Sequence, residues 1–551
     1  MTRDGNFTTL KTYNLGVFKV LFTSAALILL AAAYLTAFQR MGWRRLGSVA
    51  ARLLADFRCF WKVPRLQKCD NRYLLALALI TVMAVIFRLD RIYAPFGHDE
   101  AYTFIAFSSN SLFDTITAYH LPNNHVFHSV LVNIVTHLLG IQPWVVRLPA
   151  FIAGVLMVPA AYLLAKTLYD KETALASALL AAYSPALVSY STNARGYTIL
   201  ALITLLLLAL GVFVRRESNL FAWLLIILFS AIGFFTIPVM LFPFGVVFTW
   251  LFMINLVEKP GVYSSRMSFF KYWLIAGIAV IVLALLLYTP IFIYSGIKDF
   301  FANGVIAPLS WPVFPATLQS RLVETWLEWQ KGFPPALVIL LGLGFTLGLI
   351  LHRRISCQKL PVQLAALTWI LILLLMRRPN ASARFWLFLL PLTCIWSVAG
   401  VIGLLKVIAS RFTPRCPLAH VIVGVSLLGV TVLALRLLPG MPEQWASKGE
   451  PESIVLFLKD DLRDADLILV TSSDGPAVWY YSRLYGVADS HFDGTQPFER
   501  VFIIVSLAEQ QTVASVFRDL SLSPPVDLDQ PRLIQKFGRL SLYEYEAAPA
   551  P

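Results

Sequence analysis

The chain has 551 residues, 58% of them hydrophobic and 14% charged, against about 45–50% and 25% in soluble domains. This excludes an ordinary soluble enzyme and points to a chain whose apolar surface is covered by lipid. The formal net charge of +14 divides unevenly: residues 439–551 hold 9 Lys/Arg and 17 Asp/Glu, a net of −8, which leaves +22 on the rest.

A first apolar run over about 15–38 reads as a retained membrane helix, because it is long for a signal peptide and lacks a small-residue cleavage site. It is followed by nine bases, Arg40, Arg44, Arg45, Arg52, Arg58, Lys62, Arg65, Lys68 and Arg72, which mark a cytoplasmic loop. Further runs of spanning length lie at about 73–89, 144–166, 174–191, 197–214, 219–235, 238–257, 272–294, 335–352, 360–376, 385–405 and 417–437, about twelve in all. Alternation from the basic loop puts Lys166/Lys171, Arg215/Arg216, Lys259/Arg266/Lys271, Arg353/Arg354/Lys359 and Lys406/Arg411/Arg415 on the same side. Most Lys and Arg therefore serve orientation, and nucleic acid is not an expected partner. Cys59, Cys69, Cys357, Cys394 and Cys416 show no paired spacing and imply neither a disulfide framework nor a zinc site.

Two outer segments are long, 90–143 and about 295–334. Within the first, His125 to Leu139 is apolar but interrupted by Asn133, Thr136 and His137, and is expected to lie along the interface. After Leu438 the chain turns polar, with strand-like runs at Leu467–Thr471 and Val501–Ser506 around a helical Pro476–Leu484. Residues 439–551 thus form an expected small α/β domain outside the membrane, and residues 1–438 the polytopic part.

Three polar clusters sit at the outer ends of the spans. Phe96-Gly-His98-Asp99-Glu100-Ala-Tyr102 carries two adjacent acids, costly beside a bilayer unless solvated, paired or working. Adjacent side chains diverge, so Asp99 and Glu100 should have separate roles; solvated capping against Arg88 or Arg91 is the plain alternative. Downstream, His120-Leu-Pro-Asn-Asn124-His125-Val-Phe-His128 brings imidazoles and amides together, with Asn124 and His125 expected to bind a polar ligand. No metal is assigned, since the spacing matches no zinc signature, although a divalent ion would suit His and carboxylate donors. The third cluster, Ser191-Thr-Asn193-Ala-Arg195-Gly-Tyr197, is echoed by Arg377-Arg378-Pro-Asn-Ala-Ser-Ala-Arg384, and Arg147 stands in Trp144-Val-Val-Arg147-Leu-Pro. Outer guanidinium groups against the positive-inside trend suit phosphate, or snorkel to headgroups. Acids and arginines at one mouth of a bundle, with no buried mid-span series, favour a phosphate-bearing lipid substrate over a conduction path.

The succession Asp99-Glu100-Ala-Tyr-Thr, Pro122-Asn-Asn-His125, Arg147-Leu-Pro-Ala and Asn193-Ala-Arg195-Gly-Tyr197 resembles the polytopic GT-C glycosyltransferases. The likeness is to the family 39, PMT-like group, which holds protein O-mannosyltransferases and lipid A aminoarabinose transferases. It is strongest over about 88–210, with a weaker echo at Arg384-Phe385. The resemblance implies an all-α polytopic GT-C fold and a sugar donor on a polyprenyl phosphate. It also implies a glycan, lipid or protein acceptor, and transfer at the outer face of a bacterial inner membrane. By the same resemblance Asp99 is the base for the acceptor hydroxyl, Glu100 orients a substrate, and Arg195 and Arg384 face the lipid phosphate. His98, Tyr102, Asn124, His125, His128, Arg147, Asn193, Tyr197 and Arg378 complete the expected substrate-binding set. The sequence departs from the group's His-Pro-Pro element with Asn124-His125-Val-Phe, which leaves sugar and acceptor unassigned. A transporter or flippase, or a ligase of polyprenyl-linked glycans, is the alternative.

Overall fold

The computed structural model describes residues 43–62, 70–119, 123–259, 261–296, 308–412, 449–471, 473–494, 498–520 and 531–546, together with positions 424, 425 and 429. The expected run at 15–38 lies outside them, and of the run at 417–437 only those three positions are described. The basic segment before the second run folds as an amphipathic helix, α1 (Trp43–Lys62), where the sequence reading had only a loop. Its apolar edge packs on the bundle through Phe57 and Phe60 against Phe221.

The bundle comprises α2 (Asn71–Ile92), two short helices α3 (His98–Thr103) and α4 (Leu112–Thr117), α5 (Val126–Leu139), α6 (Pro143–Leu168), α7 (Lys171–Tyr183), α8 (Pro185–Ser191) and α9 (Tyr197–Arg216). It continues with α10 (Leu220–Thr236), α11 (Leu241–Val257), α12 (Arg266–Tyr294), α13 (Phe314–Gln330), α14 (Pro335–Ile350), α15 (Val362–Arg377) and α16 (Leu390–Phe412). Among the described residues six helices are long and apolar enough to cross a membrane, and eight if two bent pairs each count as one span. The bends are 59° between α7 and α8, where Pro185 opens the second helix, and 118° between α13 and α14, again at a proline. α10 and α15, at 17 and 16 residues, are shorter apolar helices. Side-chain oxygens at Asp70, Asp170, Asn219 and Ser265 cap the helices that follow them, removing orphan N–H groups at each start.

Lipid supplies no hydrophobic drive between helices, so close packing has to come from small residues. Gly344 and Gly348 on α14 meet Gly400 on α16 so tightly that a methyl group on Gly400 would collide with the Gly344 backbone.

The C-terminal unit is a four-stranded mixed sheet in the order β1-β2-β4-β3. β1 (Asp466–Val470) and β2 (Arg500–Ser506) are parallel and buried on both faces; β3 (Arg532–Phe537) and β4 (Leu540–Glu546) add an antiparallel hairpin. The sequence reading found β1, β2 and the helix α18 (Gly475–Tyr485), but not the hairpin. α17 (Glu450–Lys459) precedes β1, and α19 (Val513–Asp519) covers Leu467, Leu469, Val501 and Ile503. The opposite face, Ile468, Val470, Phe502 and Ile504, shares one core with Phe96, Phe104 and Val146 of the membrane part. Period-two alternation along β1 and β2 makes both contacts at once.

Gly400→Leu should wedge α14 from α16 and cost about 1–3 kcal/mol, the range for overpacking. The expected readout is a lower midpoint of thermal unfolding in detergent; an unchanged midpoint would show that the two helices do not meet there.

Candidate active site

The site begins with a local capping arrangement. Gly97 is the N-cap of α3, so Asp99 and Glu100 occupy its second and third positions, and the Glu100 carboxylate reaches back to accept the Gly97 N–H at 3.2 Å, as third-position acids do. That turn sends the adjacent carboxylates to different places.

Glu100 is buried in a bidentate pair with Arg147, whose Nε and Nη2 donate to Oε1 and Oε2 at 2.8 Å each. The Ala194 N–H donates to Oε1 at 2.6 Å. Arg147 spends its remaining donors on the carbonyls of Ile92, Ala94 and Pro95 and stacks over Phe96. Two residues expected to touch substrate are instead fully engaged with each other and with backbone. They fasten α3 to the end of α2, to α6 and to the break before α9. Arg88, the alternative partner for the acids, is buried against the carbonyls of Ala84, Ala181 and Ala182.

Asp99 faces outward with its side chain 41% exposed. Arg384, from the 3₁₀ segment Ala383–Leu389, donates to its Oδ2, and Arg195 Nη1 lies 3.6 Å from the same oxygen. Arg195 also donates to the Asp99 carbonyl, the Thr103 hydroxyl and the Asn123 side chain. Burial pushes the Asp99 carboxyl up, but Arg195 and Arg384 together outweigh it and hold the group below the ordinary carboxylate value. The acid is ionised at neutral pH and framed by two guanidinium groups from segments 189 residues apart in sequence.

His125 is fully buried. Its Nδ1 accepts the Gly196 N–H at 2.8 Å, which places the ring proton on Nε2, 3.3 Å from Arg195 Nη2. Burial, reinforced by Arg195, His128 and Arg384, holds it well below the usual histidine value, so it stays neutral. Tyr197 meets the His125 ring edge-on at 4.8 Å and lies under Arg195. His128, also buried, is pushed down to about 3 by burial and Arg195; among the described residues neither ring nitrogen has a hydrogen-bond partner.

Asp99, Arg195, Arg384, His125, His128 and Tyr197 therefore converge, while other expected members do not. The Asn124 amide nitrogen donates to the carbonyls of Thr115 and Ala118, closing α4, while among the described residues its buried Oδ1 has no hydrogen-bond partner. His98 Nδ1 contacts the Ser473 carbonyl of the C-terminal unit at 2.7 Å. Tyr102 is buried, packing near His98 and Phe107. Asn193 contributes its carbonyl to the Arg195 N–H. Arg378 holds the Leu309 carbonyl and covers Trp311 from a left-handed backbone with φ 40°. His120 lies outside the described residues. Asn123 and Thr103, which the sequence reading passed over, are the polar neighbours of Arg195; the Pro122-Asn-Asn-His125 motif contained the signal, but which amide faces the site is set by the turn.

The aromatic run Trp479–Tyr481 is core packing. Tyr480 stacks on Phe96 at 4.1 Å, and the Tyr481 hydroxyl accepts the Phe96 N–H. Arg483 reaches Ser109. The C-terminal unit thus grips both ends of the acidic loop. Among the described residues no three His, Cys, Asp or Glu side chains gather as metal ligands.

Glu100→Gln should leave Arg147 buried without its counter-charge and cost about 3–5 kcal/mol. Adding Arg147→Met should restore part of that loss in a double-mutant cycle read by thermal unfolding; additive losses would mean the pair is not coupled.

A family model described as dolichyl-phosphate-mannose-protein mannosyltransferase matches residues 126–288. That region holds Arg147, Arg195 and Tyr197 but not Asp99 or Arg384. No curated protein matches. The structure resembles ArnT from Cupriavidus metallidurans in the apo state, at 13% identity and TM-score 0.53, over 87% of this chain and 99% of that one. It also resembles the same protein bound to undecaprenyl phosphate, at 13% identity and TM-score 0.50 over the same shares. A further match, at 12% identity and TM-score 0.43, covering 81% of this chain and 70% of the other, is to the oligosaccharyltransferase AglB from Archaeoglobus fulgidus in complex with an inhibitory peptide and a dolichol-phosphate. The chain is a membrane protein of the GT-C glycosyltransferase fold that carries, over residues 126–288, the sequence pattern of the dolichyl-phosphate-mannose-protein mannosyltransferases.

Proposed function

We propose that this chain transfers a monosaccharide from a polyprenyl-phosphate donor to an acceptor hydroxyl at the outer mouth of the bundle, with inversion at the anomeric carbon. The observation that carries the reading is Asp99, a half-exposed carboxylate held ionised between Arg195 and Arg384. The undecaprenyl phosphate in the related ArnT structure supports a lipid-phosphate ligand for this fold.

In the reaction the acceptor oxygen attacks the anomeric carbon and the bond from that carbon to the phosphate oxygen breaks. The polyprenyl phosphate leaves with the bonding electrons, and the hydroxyl proton passes to Asp99 and then to water. A phosphate leaving group calls for positive charge more than for a general acid, and fixed guanidinium donors supply it. The donor phosphate and Asp99 compete for the same N–H groups. Binding of donor therefore draws Arg384 and Arg195 toward phosphate and restores basicity to the carboxylate, so the base becomes effective when the donor is in place. Glu100 and Arg147 act as positioning residues, fixing the turn from which Asp99 projects. The site is read as extracytoplasmic, in a bacterial inner membrane, because the basic loops lie at the opposite end of the spans.

Sugar release by purified protein from a panel of polyprenyl-phosphate sugars tests this. Asp99→Asn should reduce turnover by about 10²–10⁴-fold, the range for loss of a general base. Protein that binds polyprenyl phosphate yet consumes no donor would instead support transport or ligation. Because Asp99 must be ionised and is held below the ordinary carboxylate value before donor binds, the acid limb of kcat/KM, which reports the free enzyme, should lie below about pH 4. A limb between pH 6 and 7 would assign the base to another group.

A further inference from the structure

A second site stands at the far end of the bundle. α9 starts beside the active-site arginine and, at 1.5 Å per residue, ends about 30 Å away; α12 runs the other way and finishes where Ser295 binds the Thr117 carbonyl under the acidic loop. Between the end of α9 and the start of α12 lies a half-open cavity of about 440 Å³. It is lined by Ser218, Ser264 and Ser268, by Lys271, and by Tyr263 and Ile275 among others. We propose that this cavity binds the headgroup of an anionic phospholipid in the leaflet opposite the active site.

The lining has the chemistry of a phosphodiester site. Ser264 and Ser265 both contact the Ser268 hydroxyl, at 2.9 and 3.1 Å, forming a ladder of rotatable donors at the first turn of α12. Tyr263 accepts the Trp223 indole N–H at 3.0 Å, which leaves its own proton for an acceptor. Lys271 is exposed and supplies a compact positive charge. Among the described lining residues there is no carboxylate to compete for it. Arg52 joins the rim from α1, donating to the Ser218 hydroxyl at 3.2 Å with the Asp56 carboxylate 3.9 Å from its Nε.

Depth and shape select a lipid over a soluble phosphate compound. α1 lies across this end of the bundle with Leu54, Phe57 and Trp61 exposed beside its basic residues, the pattern of a helix seated at headgroup level. Along α12 the face that carries Ser268 and Lys271 turns apolar at Ile275 and continues through Ile278, Val282 and Leu285, all about half exposed. These positions recur every three or four residues, so they form one lane into the hydrocarbon. The cavity holds a headgroup and the lane takes an acyl chain. Basic pockets at the ends of membrane helices bind anionic headgroups in this way.

The test uses full-length protein in a neutral detergent, with dioleoyl phosphatidylglycerol, dioleoyl phosphatidylcholine and inorganic phosphate as separate probes. Thermal unfolding and native mass spectrometry report binding. Phosphatidylglycerol should raise the unfolding midpoint saturably and stay bound in the gas phase, phosphatidylcholine should do so weakly, and phosphate should not. Lys271→Gln combined with Ser268→Ala should weaken phosphatidylglycerol about fivefold to tenfold. Arg353→Gln, which removes an exposed base elsewhere on the same face, should bind as the unmodified protein does. Equal protection by phosphatidylcholine, equal affinity in the double variant, or protection by phosphate alone would each overturn the assignment. None of these readouts depends on sugar transfer.

Discussion

The arrangement of the site rests on one buried ion pair. Two charges are taken out of water at Glu100 and Arg147, a cost of several kcal/mol per ion that only full satisfaction of both groups can offset. Here each carboxylate oxygen receives two donors and every guanidinium nitrogen has a partner. Four separate pieces of chain meet at this point, namely the end of α2, the start of α3, the first turns of α6 and the polar break before α9. None could shift without stranding a charge in a low-dielectric setting, so the pair works as a fixed joint at this end of the bundle.

That joint gives the neighbouring acid its freedom. With Glu100 turned inward as a cap, Asp99 points to the solvent side and takes the electrostatics of Arg195 and Arg384. The two guanidinium groups are held differently. Arg195 is buried beside His125 and Tyr197, whereas Arg384 is half exposed on a short 3₁₀ segment. The proposed reaction uses this asymmetry to exchange an internal anion for an external one, and burial among cations keeps His125 neutral beside it.

The C-terminal unit belongs to the same construction. One face of its sheet packs into a core with Phe96, Phe104 and Val146, and α18 ties down Phe96, Ile141 and Ser109 through Tyr481, Tyr480 and Arg483. The two parts carry opposite net charge but meet through aromatic and apolar surface, so their association is not a matter of long-range attraction. The turn that carries Asp99 is thus clamped by Arg147 of the helical bundle and by the aromatic run of the C-terminal unit.

Hydropathy and charge alone determined that the chain crosses a membrane, where most of its spans run and that a polar α/β unit follows, because lipid solvation depends on local composition over about twenty residues. The motifs at Asp99, His125, Arg195 and Arg384 were legible for a related reason: charged residues next to a bilayer are rare enough to stand out. The hairpin β3–β4 was not legible, since its strands are short, half polar and stabilised by pairing with β2. Nor were the roles within the motifs. Whether Glu100 touches substrate or Arg147, whether Asn123 or Asn124 faces Arg195, and whether Arg378 or Arg384 reaches Asp99 depend on the direction each side chain leaves its turn. Partners as much as 285 residues distant complete those arrangements. Local sequence carries the cost of placing a charge at a membrane surface; only the packed chain decides which opposite charge meets it.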